Sequence, residues 1–175
     1  WGCKMIVPKL RFSEFKNEWN IKQISELATL NPKSDKLPNQ FIYIDLESVE
    51  NGTLISQKLI NLDDAPSRAQ RKLEVKDVLF QMVRPYQQNN FFFDMHGNYV
   101  ASTGYIQIRT DKNNPKFIYY VIHTKKFLNN VLLRCTGSNY PAINSSDFAE
   151  IEISYPPTEE QTKIAEFLSA VDDKI

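Results

Sequence analysis

The segment Ile151-Glu-Ile-Ser-Tyr-Pro-Pro157, followed by Thr158-Glu-Glu-Gln161, decides how the end of this 175-residue sequence folds. Ile151 to Ile153 predict a short final strand, which the two prolines end because proline cannot donate to a sheet. Thr158 and Gln161 have the spacing of a capping box, and the two glutamates between them would lie at the positive end of a helix dipole. The segment therefore predicts a strand that changes directly into a helix.

The predicted helix carries a stripe of apolar residues on one side. Ile164, Leu168, Val171 and Ile175 follow one another at intervals of four, three and four residues, the spacing of a coiled-coil seam. Two interpretations stay open. The stripe packs against the chain's own domain, or residues 158–175 begin a longer helix whose stripe contacts a partner helix.

Short strands and turns alternate upstream of this segment. Val78 to Val83 is a nearly continuous apolar run, typical of a buried strand, and residues 105–108 alternate in polarity at period two. Residues 41–44 also predict a strand. Asn51-Gly52 predicts a hairpin turn, and a second hairpin is expected across 96–98.

Helical spacing occurs in two further places. Ile21, Ile24 and Leu27 predict a helix over residues 20–30, which Asn31-Pro32 would end. After Pro115, apolar residues up to position 128 predict a helix of about three turns. The expected fold class is α+β: a twisted, mainly antiparallel sheet flanked by short helices, followed by the start of a long coiled-coil helix.

Composition excludes several classes of protein. The chain is 42% hydrophobic and 12% aromatic, which is too apolar for a disordered spacer. Two cysteines are too few for a disulfide scaffold or a four-cysteine zinc site. No apolar run is long enough to span a membrane, and no signal-peptide core follows Trp1. We expect a cytoplasmic protein without a membrane partner.

Charge is segregated along a sequence whose net charge is zero. Residues 66–89 and 109–134 carry +3 and +5, whereas residues 145–175 carry −6. Arg68, Arg71 and Lys72 form a basic group that suits contacts with DNA phosphates. Ordinary surface charge is the alternative interpretation.

The sequence predicts neither catalytic residues nor a metal site. Its five glycines form no phosphate-binding or dinucleotide-binding loop. Asp63 or Asp64, together with Glu74 and Lys76, could mimic the Asp…Glu-x-Lys triplet of a small metal-dependent nuclease that would use Asp64, Glu74 and Lys76, but such triplets are common by chance. We therefore expect a protein that binds a ligand and not an enzyme that breaks covalent bonds.

Two loops have side chains that could read DNA. Arginine pairs bidentately with guanine, and asparagine or glutamine pairs with adenine, so a loop that combines them is equipped for the major groove. The first loop contributes Arg84, Tyr86, Gln87, Gln88, Asn89 and Asn90, and the second contributes Ser138, Asn139 and Tyr140. Such amide-rich loops are also common as plain solvated turns.

Four segments carry a resemblance to a known family. They are Pro8-Lys-Leu-Arg-Phe-Ser-Glu-Phe15 with Trp19; Lys76-Asp-Val-Leu-Phe80 with Arg84-Pro85; Tyr99-Val-Ala-Ser-Thr-Gly-Tyr105; and residues 151–157, continued by Glu160-Gln161, Lys163-Ile-Ala165, Phe167-Leu168 and Asp172-Asp-Lys-Ile175. Together they resemble one half of the specificity subunit of a type I restriction–modification system. The sequence departs from the family at Lys76, where glycine is common, and at Ser13, where proline is common.

The resemblance implies a DNA-recognition subunit that catalyses nothing itself. Residues 8–157 would form a target recognition domain that reads one part of a split double-stranded DNA target. Residues 158–175 would begin the conserved spacer helix, which pairs with a second recognition half or with another copy. Residues 1–7 would be a linker or a cloning remnant.

The implied partners are methyltransferase and restriction subunits, which would use S-adenosylmethionine, ATP and magnesium, while this chain binds no cofactor. Whether the chain is an excised half or a natural half-subunit stays open, as do the target bases. The rival hypotheses are a helix-mediated protein interaction module without DNA contact and the small nuclease.

Overall fold

The computed structural model describes residues 8–34 and 36–174 of the chain. The expected linker or cloning remnant at 1–7 and the seam position Ile175 lie outside the described residues. Within the described ranges the strands are β1 (Asn20–Gln23), β2 (Thr29–Leu30), β3 (Gln40–Ile44), β4 (Val49–Glu50), β5 (Thr53–Leu54), β6 (Lys58–Asn61), β7 (Ala69–Lys72), β8 (Val78–Gln81), β9 (Phe91–Phe92), β10 (Tyr99–Ser102), β11 (Tyr105–Arg109) and β12 (Glu152–Tyr155). The helices are α1 (Ile24–Leu27), α2 (Pro115–Ile122), α3 (Lys125–Leu132), α4 (Ser145–Ala149) and α5 (Thr158–Asp172), and single 3-10 turns occur at Leu62–Asp64 and Pro85–Gln87.

Two four-stranded sheets form the centre of the described chain. The first sheet has the strand order β2-β11-β8-β9 and is antiparallel throughout. The second sheet has the order β6-β3-β10-β7, in which only β3 and β10 run parallel. Strands β1 and β12 pair separately, and β4 and β5 form a hairpin. The expected α+β class with mainly antiparallel sheets is confirmed.

The core follows from alternation along the strands of the first sheet. Phe80 and Ile106 project from one face into a cluster with the helices, where Phe117 and Phe127 are also buried. Leu79 projects from the opposite face, toward the residues of the second sheet. Because successive residues of a strand point to opposite faces, the sequence of β8 places the first sheet between the helices and the second sheet.

Several local predictions are confirmed. Strands occupy positions 40–44, 78–81 and 105–109, close to the predicted segments. The hairpin at Asn51-Gly52 joins β4 to β5, with φ angles of 49° and 75°. Positive φ at both central residues is what a tight hairpin turn requires, and Asn-Gly supplies it at little cost.

The predicted helix over residues 20–30 is wrong. Residues 20–23 form β1, which pairs antiparallel with β12, and only Ile24–Leu27 are helical. The amide of Ile24 donates to the carbonyl of Ile151 at 2.9 Å and extends this pairing. A partner strand about 130 residues away thus overrides the local helical spacing.

The hairpin predicted across His96-Gly97-Asn98 is also wrong. Strand β9 pairs with β8 in the first sheet, whereas β10 runs beside β3 and β7 in the second. Residues 93–98 therefore connect two sheets. The expected helix after Pro115 is broken in two, because Thr124 is the N-cap of α3 and its hydroxyl accepts a hydrogen bond from the amide of Phe127.

The predicted strand and helix at 151–172 are present, but the capping box is wrong. Thr158 lies inside the first turn of α5, and Pro157 precedes it without a side-chain cap. The Gln161 side chain instead bonds to the backbone amide of Asn114 at 2.9 Å and to the side chain of Asn113 at 2.9 Å. Gln161 thus ties α5 to the start of α2 rather than capping its own helix.

Lys76, at a position where the resembled family commonly has glycine, adopts a glycine-like backbone. Its φ angle is 77°, in the left-handed region that glycine adopts freely. The turn between Glu74 and Asp77 therefore keeps its shape with a lysine in place. The amide of Lys76 donates to the carbonyl of Phe93 at 2.6 Å, which fixes this conformation.

Candidate nucleic-acid interface

Four segments meet at one end of the two sheets. We call them the loop cluster: residues 66–68, 82–90, 102–104 and 136–142. Three backbone hydrogen bonds join them, from Thr103 N to Arg68 O at 2.8 Å, from Met82 N to Gly104 O at 2.9 Å, and from Arg84 N to Pro141 O at 2.8 Å. The structure thus brings Arg68 and both predicted reading loops to the same end of the molecule.

The loop after β8 is held from inside by Gln81, whose side chain is buried. Its Nε2 donates to Oε1 of Gln87 at 2.9 Å, and its Oε1 accepts from the amide of Asn89 at 3.1 Å. The amide of Gln81 donates to Oδ1 of Asn90 at 2.9 Å. These bonds close the loop around the 3-10 turn at 85–87, so its backbone is fixed before any ligand arrives.

Arg84 and Tyr140, which come from different reading loops, are stacked on each other. The guanidinium carbon of Arg84 lies 4.3 Å from the centre of the Tyr140 ring. Arg84 also has a left-handed backbone, with φ 52° and ψ 54°, and Gln88 after the turn has φ 53°. Non-glycine residues hold such angles only where their surroundings fix them.

The amides of the first reading loop divide into two groups. Asn90 is fully buried and its Nδ2 lies 3.4 Å from Nε2 of His123, so it supports the loop from within. Oδ1 of Asn89 accepts from the amide of Asn51 at 3.2 Å. Gln87 is exposed and Gln88 is half-buried. The exposed amides, unlike Asn90, lie where a ligand could contact them.

The second reading loop is exposed along its tip. Ser138, Asn139 and Tyr140 are all exposed, and the bonds between Thr136 and Ala142 close the loop behind them. Tyr86 in the first loop is also exposed. Two aromatic rings with hydroxyl groups therefore lie on the surface of the loop cluster.

Sequence reasoning assigned no role to Thr103 or Leu133. Thr103 connects β10 to β11 within the loop cluster, and Leu133 follows α3 with 83% of its surface exposed. Nothing in the local pattern distinguishes Leu133 from a core leucine. Only the packing of α3 on the core shows that this residue is left outside.

The predicted basic group does not form one patch. Arg71 and Lys72 are adjacent in β7, opposite Ala101 and Val100 respectively, so their side chains project to opposite faces of the second sheet. Arg71 is half-buried, and its Nε lacks a hydrogen-bond partner among the described residues. Burial lowers the pKa of its guanidinium. Arg68 is exposed within the loop cluster, whereas Lys72 lies near Lys33, Glu74 and Arg109.

His123 lies beneath the first reading loop. Its Nδ1 donates to the carbonyl of Tyr119 at 2.7 Å, which leaves Nε2 to accept from Asn90. Burial lowers the pKa of the imidazole, and the backbone groups of Tyr119 and Gln88 and the charge of Asp172 oppose this shift only in part. The neutral form of His123 therefore fits the site.

The stripe on α5 is only partly covered. Ile164 and Leu168 are half-buried, and Val171 is exposed. Ile164 and Leu168 line an apolar groove with Phe12 of the N-terminal segment, next to Phe167, which is 52% exposed. The most buried apolar residue of the helix is Ala165, off the predicted seam.

The residues of the nuclease hypothesis do not converge. Glu74 is paired with Arg109 at 2.7 Å, and Arg109 also bonds to both carboxylate oxygens of Asp77. Asp64 lies in the 3-10 turn after β6, where it bonds to Asn61. Across residues 8–34 and 36–174, no three carboxylate, histidine or cysteine side chains are placed to hold a metal ion.

Comparisons with known proteins match the chain to a single family. A family model described as "Type I restriction modification DNA specificity domain" matches residues 16–175. The chain is similar to the Type I restriction enzyme HindI specificity subunit of Haemophilus influenzae, with 24% identity over 164 residues. That alignment covers 90% of this chain and 35% of the relative.

Solved structures have the same architecture. The crystal structure of the HsdS subunit from Thermoanaerobacter tengcongensis matches with a TM-score of 0.76 and 27% identity. A structure from work on complex assembly and conformational transition of the type I R-M system matches with a TM-score of 0.77 and 26% identity. Each match covers 89% of this chain and 42% of the other, so the chain spans less than half the length of these proteins. Along the described residues, no helix has the length and apolar character needed to cross a membrane.

Proposed function

The chain belongs to the type I restriction–modification DNA specificity domain family, and from this premise we propose that it reads one part of a split double-stranded DNA target. It acts as half of a specificity subunit and catalyses nothing itself. Methyltransferase and restriction subunits are its protein partners, and S-adenosylmethionine, ATP and magnesium serve those subunits.

The loop cluster carries the proposal. It gathers Arg68, Arg84, Tyr86 and Tyr140 at one end of the sheets, on loops that a buried hydrogen-bond network supports. Rigid loops that present arginine, aromatic and amide groups fit base edges, while exposed cations beside them fit phosphates. Residues 8–157 supply this surface in our proposal, and residues 158–175 begin the spacer helix.

We assign the roles by chemistry and exposure. Base contacts are proposed for the exposed or half-buried members of the two reading loops, with Asn90 acting from below as a support: Arg84, Tyr86, Gln87, Gln88, Asn89, Ser138, Asn139 and Tyr140. Phosphate contacts are proposed for Arg68 and Arg71. Arg71 supports this assignment because, among the described residues, no carboxylate pairs with its half-buried charge, and an anionic ligand would offset that charge.

The partner helix is proposed to contact Ile164, Leu168, Val171 and Ile175. The groove beside α5 supports this, since Phe167 and Val171 remain exposed after the helix has packed on its own domain. The partner is the second recognition half of the same subunit or another copy of it. In a protein that carries the whole spacer helix, Leu168→Glu should then weaken association in sedimentation, whereas Glu166→Lys, at an exposed position outside the groove, should not.

Selection from a random duplex library tests DNA reading. The specificity subunit containing this chain, assembled with its methyltransferase subunits, should enrich a short half-site. Arg84→Ala should change the enriched sequence, whereas Lys58→Ala on the distant edge strand β6 should leave it unchanged. If no sequence is enriched by the wild-type protein, DNA reading is wrong, and a helix-mediated interaction module becomes the better account.

A further inference from the structure

Arg84 differs from the other arginines in how it is held. The sequence has six arginines, and two of them bind carboxylates: Arg11 binds Glu160, and Arg109 binds Asp77. Arg134 donates to the carbonyl of Asn130 in its own helix. Arg84 is fixed by an aromatic ring instead, and no carboxylate of the described chain lies within salt-bridge distance of it. Its orientation is set while its N–H donors remain available.

The contact with Tyr140 leaves the donors of Arg84 available. The guanidinium carbon lies over the Tyr140 ring, and within the described residues no hydrogen bond from the Arg84 side chain is formed, so its N–H groups stay open to a ligand. The ring also removes much of the rotational freedom that an exposed arginine would lose on binding. The loop cluster therefore presents a partly exposed, pre-oriented guanidinium group at its surface. We call its planar pair of N–H groups the fork.

The backbone beneath this fork is equally fixed. The amide of Arg84 donates to Pro141, so the two reading loops hold each other. Gln81 closes the loop that follows through its bonds to Gln87 and Asn89. Left-handed residues at both ends of the turn show that the surroundings impose this shape.

The chemistry of a fixed planar fork selects its ligand. Two parallel N–H groups match the paired acceptors O6 and N7 of guanine in the major groove. Adenine offers one acceptor and one donor there, thymine one acceptor and a methyl group, and cytosine a donor. A phosphate would also accept from arginine, but phosphate contacts do not need a fixed plane, and exposed Arg68 suits that role.

We propose that Arg84, stacked on Tyr140, reads the major-groove edge of one guanine in the half-site. This inference rests on the proposed function and adds a residue and a base to it. Arg84 determines specificity at that position, and Tyr140 is a positioning residue that acts through Arg84.

Base analogues test the proposal once the half-site is known. Each guanine of either strand is replaced in turn by 7-deazaguanine, which lacks N7, or by inosine, which keeps both O6 and N7. At one position 7-deazaguanine should weaken binding by the wild-type protein about 10- to 100-fold, and inosine should have little effect. Arg84→Ala should weaken binding to the natural half-site by a similar factor and should lose all sensitivity to 7-deazaguanine at that position.

Further variants separate reading from folding. Arg84→Lys keeps the charge but loses the planar pair of N–H groups, so it should bind the natural half-site more weakly than the wild type and should discriminate less at that base pair. Tyr140→Phe keeps the ring and should behave as the wild type, whereas Tyr140→Leu should weaken discrimination at the same base pair only. Unchanged thermal unfolding of Arg84→Lys would show that the loop is intact.

Three outcomes overturn the inference. These are a half-site without guanine on either strand, a wild-type protein indifferent to 7-deazaguanine at every guanine, and an Arg84→Ala variant weakened equally on all sequences. The last result would make Arg84 a phosphate contact. In each of these cases the wild-type protein still binds a specific sequence, whereas failure of the proposed function would abolish specific binding altogether.

Discussion

Gln81 is a single buried side chain that supports much of the loop cluster. Replacing it by leucine keeps the volume but leaves the Asn89 amide and the Gln87 side chain without their partner. A buried donor without a partner costs about 1–3 kcal/mol, so the free energy of unfolding should fall by that amount. Denaturant titration measures the loss, and Gln70→Leu, at an exposed position of β7, should change stability by less than about 0.5 kcal/mol.

His123 makes the stability of the same region depend on pH. Because burial lowers its pKa in the folded state, the unfolded chain binds a proton first as the pH falls. The contribution of His123 is therefore fully present above about pH 7.5 and is lost as the pH falls through 6.5 toward the lower folded pKa. The slope of stability against pH should reach at most about 1.4 kcal/mol per pH unit in that window.

Thermal unfolding from pH 8 to pH 5 measures this dependence. His123→Gln should flatten the part of the curve near pH 6, whereas His96→Gln, at the only other histidine, should leave it unchanged because His96 is exposed. Identical slopes in the wild type and His123→Gln would show that His123 is protonated equally in both states, which would contradict a lowered pKa in the folded protein.

At the scale of single residues, the sequence indicated which side chains can hydrogen-bond to a ligand, but not which of them already form hydrogen bonds within the domain. Asn89 and Asn90 have the same chemistry, yet Asn90 is buried against Gln81 and His123. The stack of Arg84 on Tyr140 joins residues 56 positions apart. Such contacts depend on how the second loop returns beside the first, and no local pattern contains that information.

Helix α5 shows how one element is tied to the rest. Glu160 is fully buried in its first turn, where Arg11 donates to both carboxylate oxygens at 2.6 and 2.7 Å and Trp19 donates at 3.2 Å. Farther along the helix, Tyr120 bonds to Asp172 at 2.8 Å. The helix is thus attached at both ends, and its orientation follows from the domain.

Removing Arg11 should test this attachment. Arg11→Met leaves the Glu160 carboxylate buried without its main partner, which is more damaging than removing both charges. We expect a clear loss of thermal stability, partly restored in the double variant Arg11→Met with Glu160→Gln. Lys163→Ala, which breaks an exposed pair with Glu14 at 4.0 Å, should have an effect within about 0.5 kcal/mol. Equal losses in Arg11→Met and Lys163→Ala would argue against the attachment.

The elements themselves were predictable to different degrees. Strand β8 followed from an apolar run, β11 from alternation at period two, and the Asn51-Gly52 turn from backbone preference. Strand β1 was not predictable, because its helical spacing conflicts with a pairing partner near the other end of the sequence. Strands β9 and β10 looked like a hairpin because their separation is short, although they belong to different sheets.

At the scale of the whole molecule the net charge is zero, so electrostatic attraction to DNA must come from how the charges are distributed and not from their sum. In our proposal this contribution comes from the cations at the loop cluster. The acidic end of the sequence is placed partly on α5, where Glu160 is neutralised by Arg11. Affinity for DNA should therefore depend on a few cations near the reading loops, more than on the total charge.

The salt dependence of binding separates these cations. Each phosphate contact contributes about 0.9 to the slope of log K against log salt on duplex DNA. Arg68 lies in the loop cluster, so Arg68→Ala should reduce the slope by about one and weaken all sequences alike.

Lys72 projects from the face of β7 opposite to Arg71 and lies near Lys33 and Arg109. If Arg71 meets the phosphates, Lys72→Ala should therefore leave the slope almost unchanged. Titrations between about 50 and 200 mM salt, with Lys58→Ala as a control, measure both. If Lys72→Ala lowers the slope and Arg71→Ala and Arg68→Ala do not, DNA lies against the other face of the second sheet, and the loop cluster is not the interface.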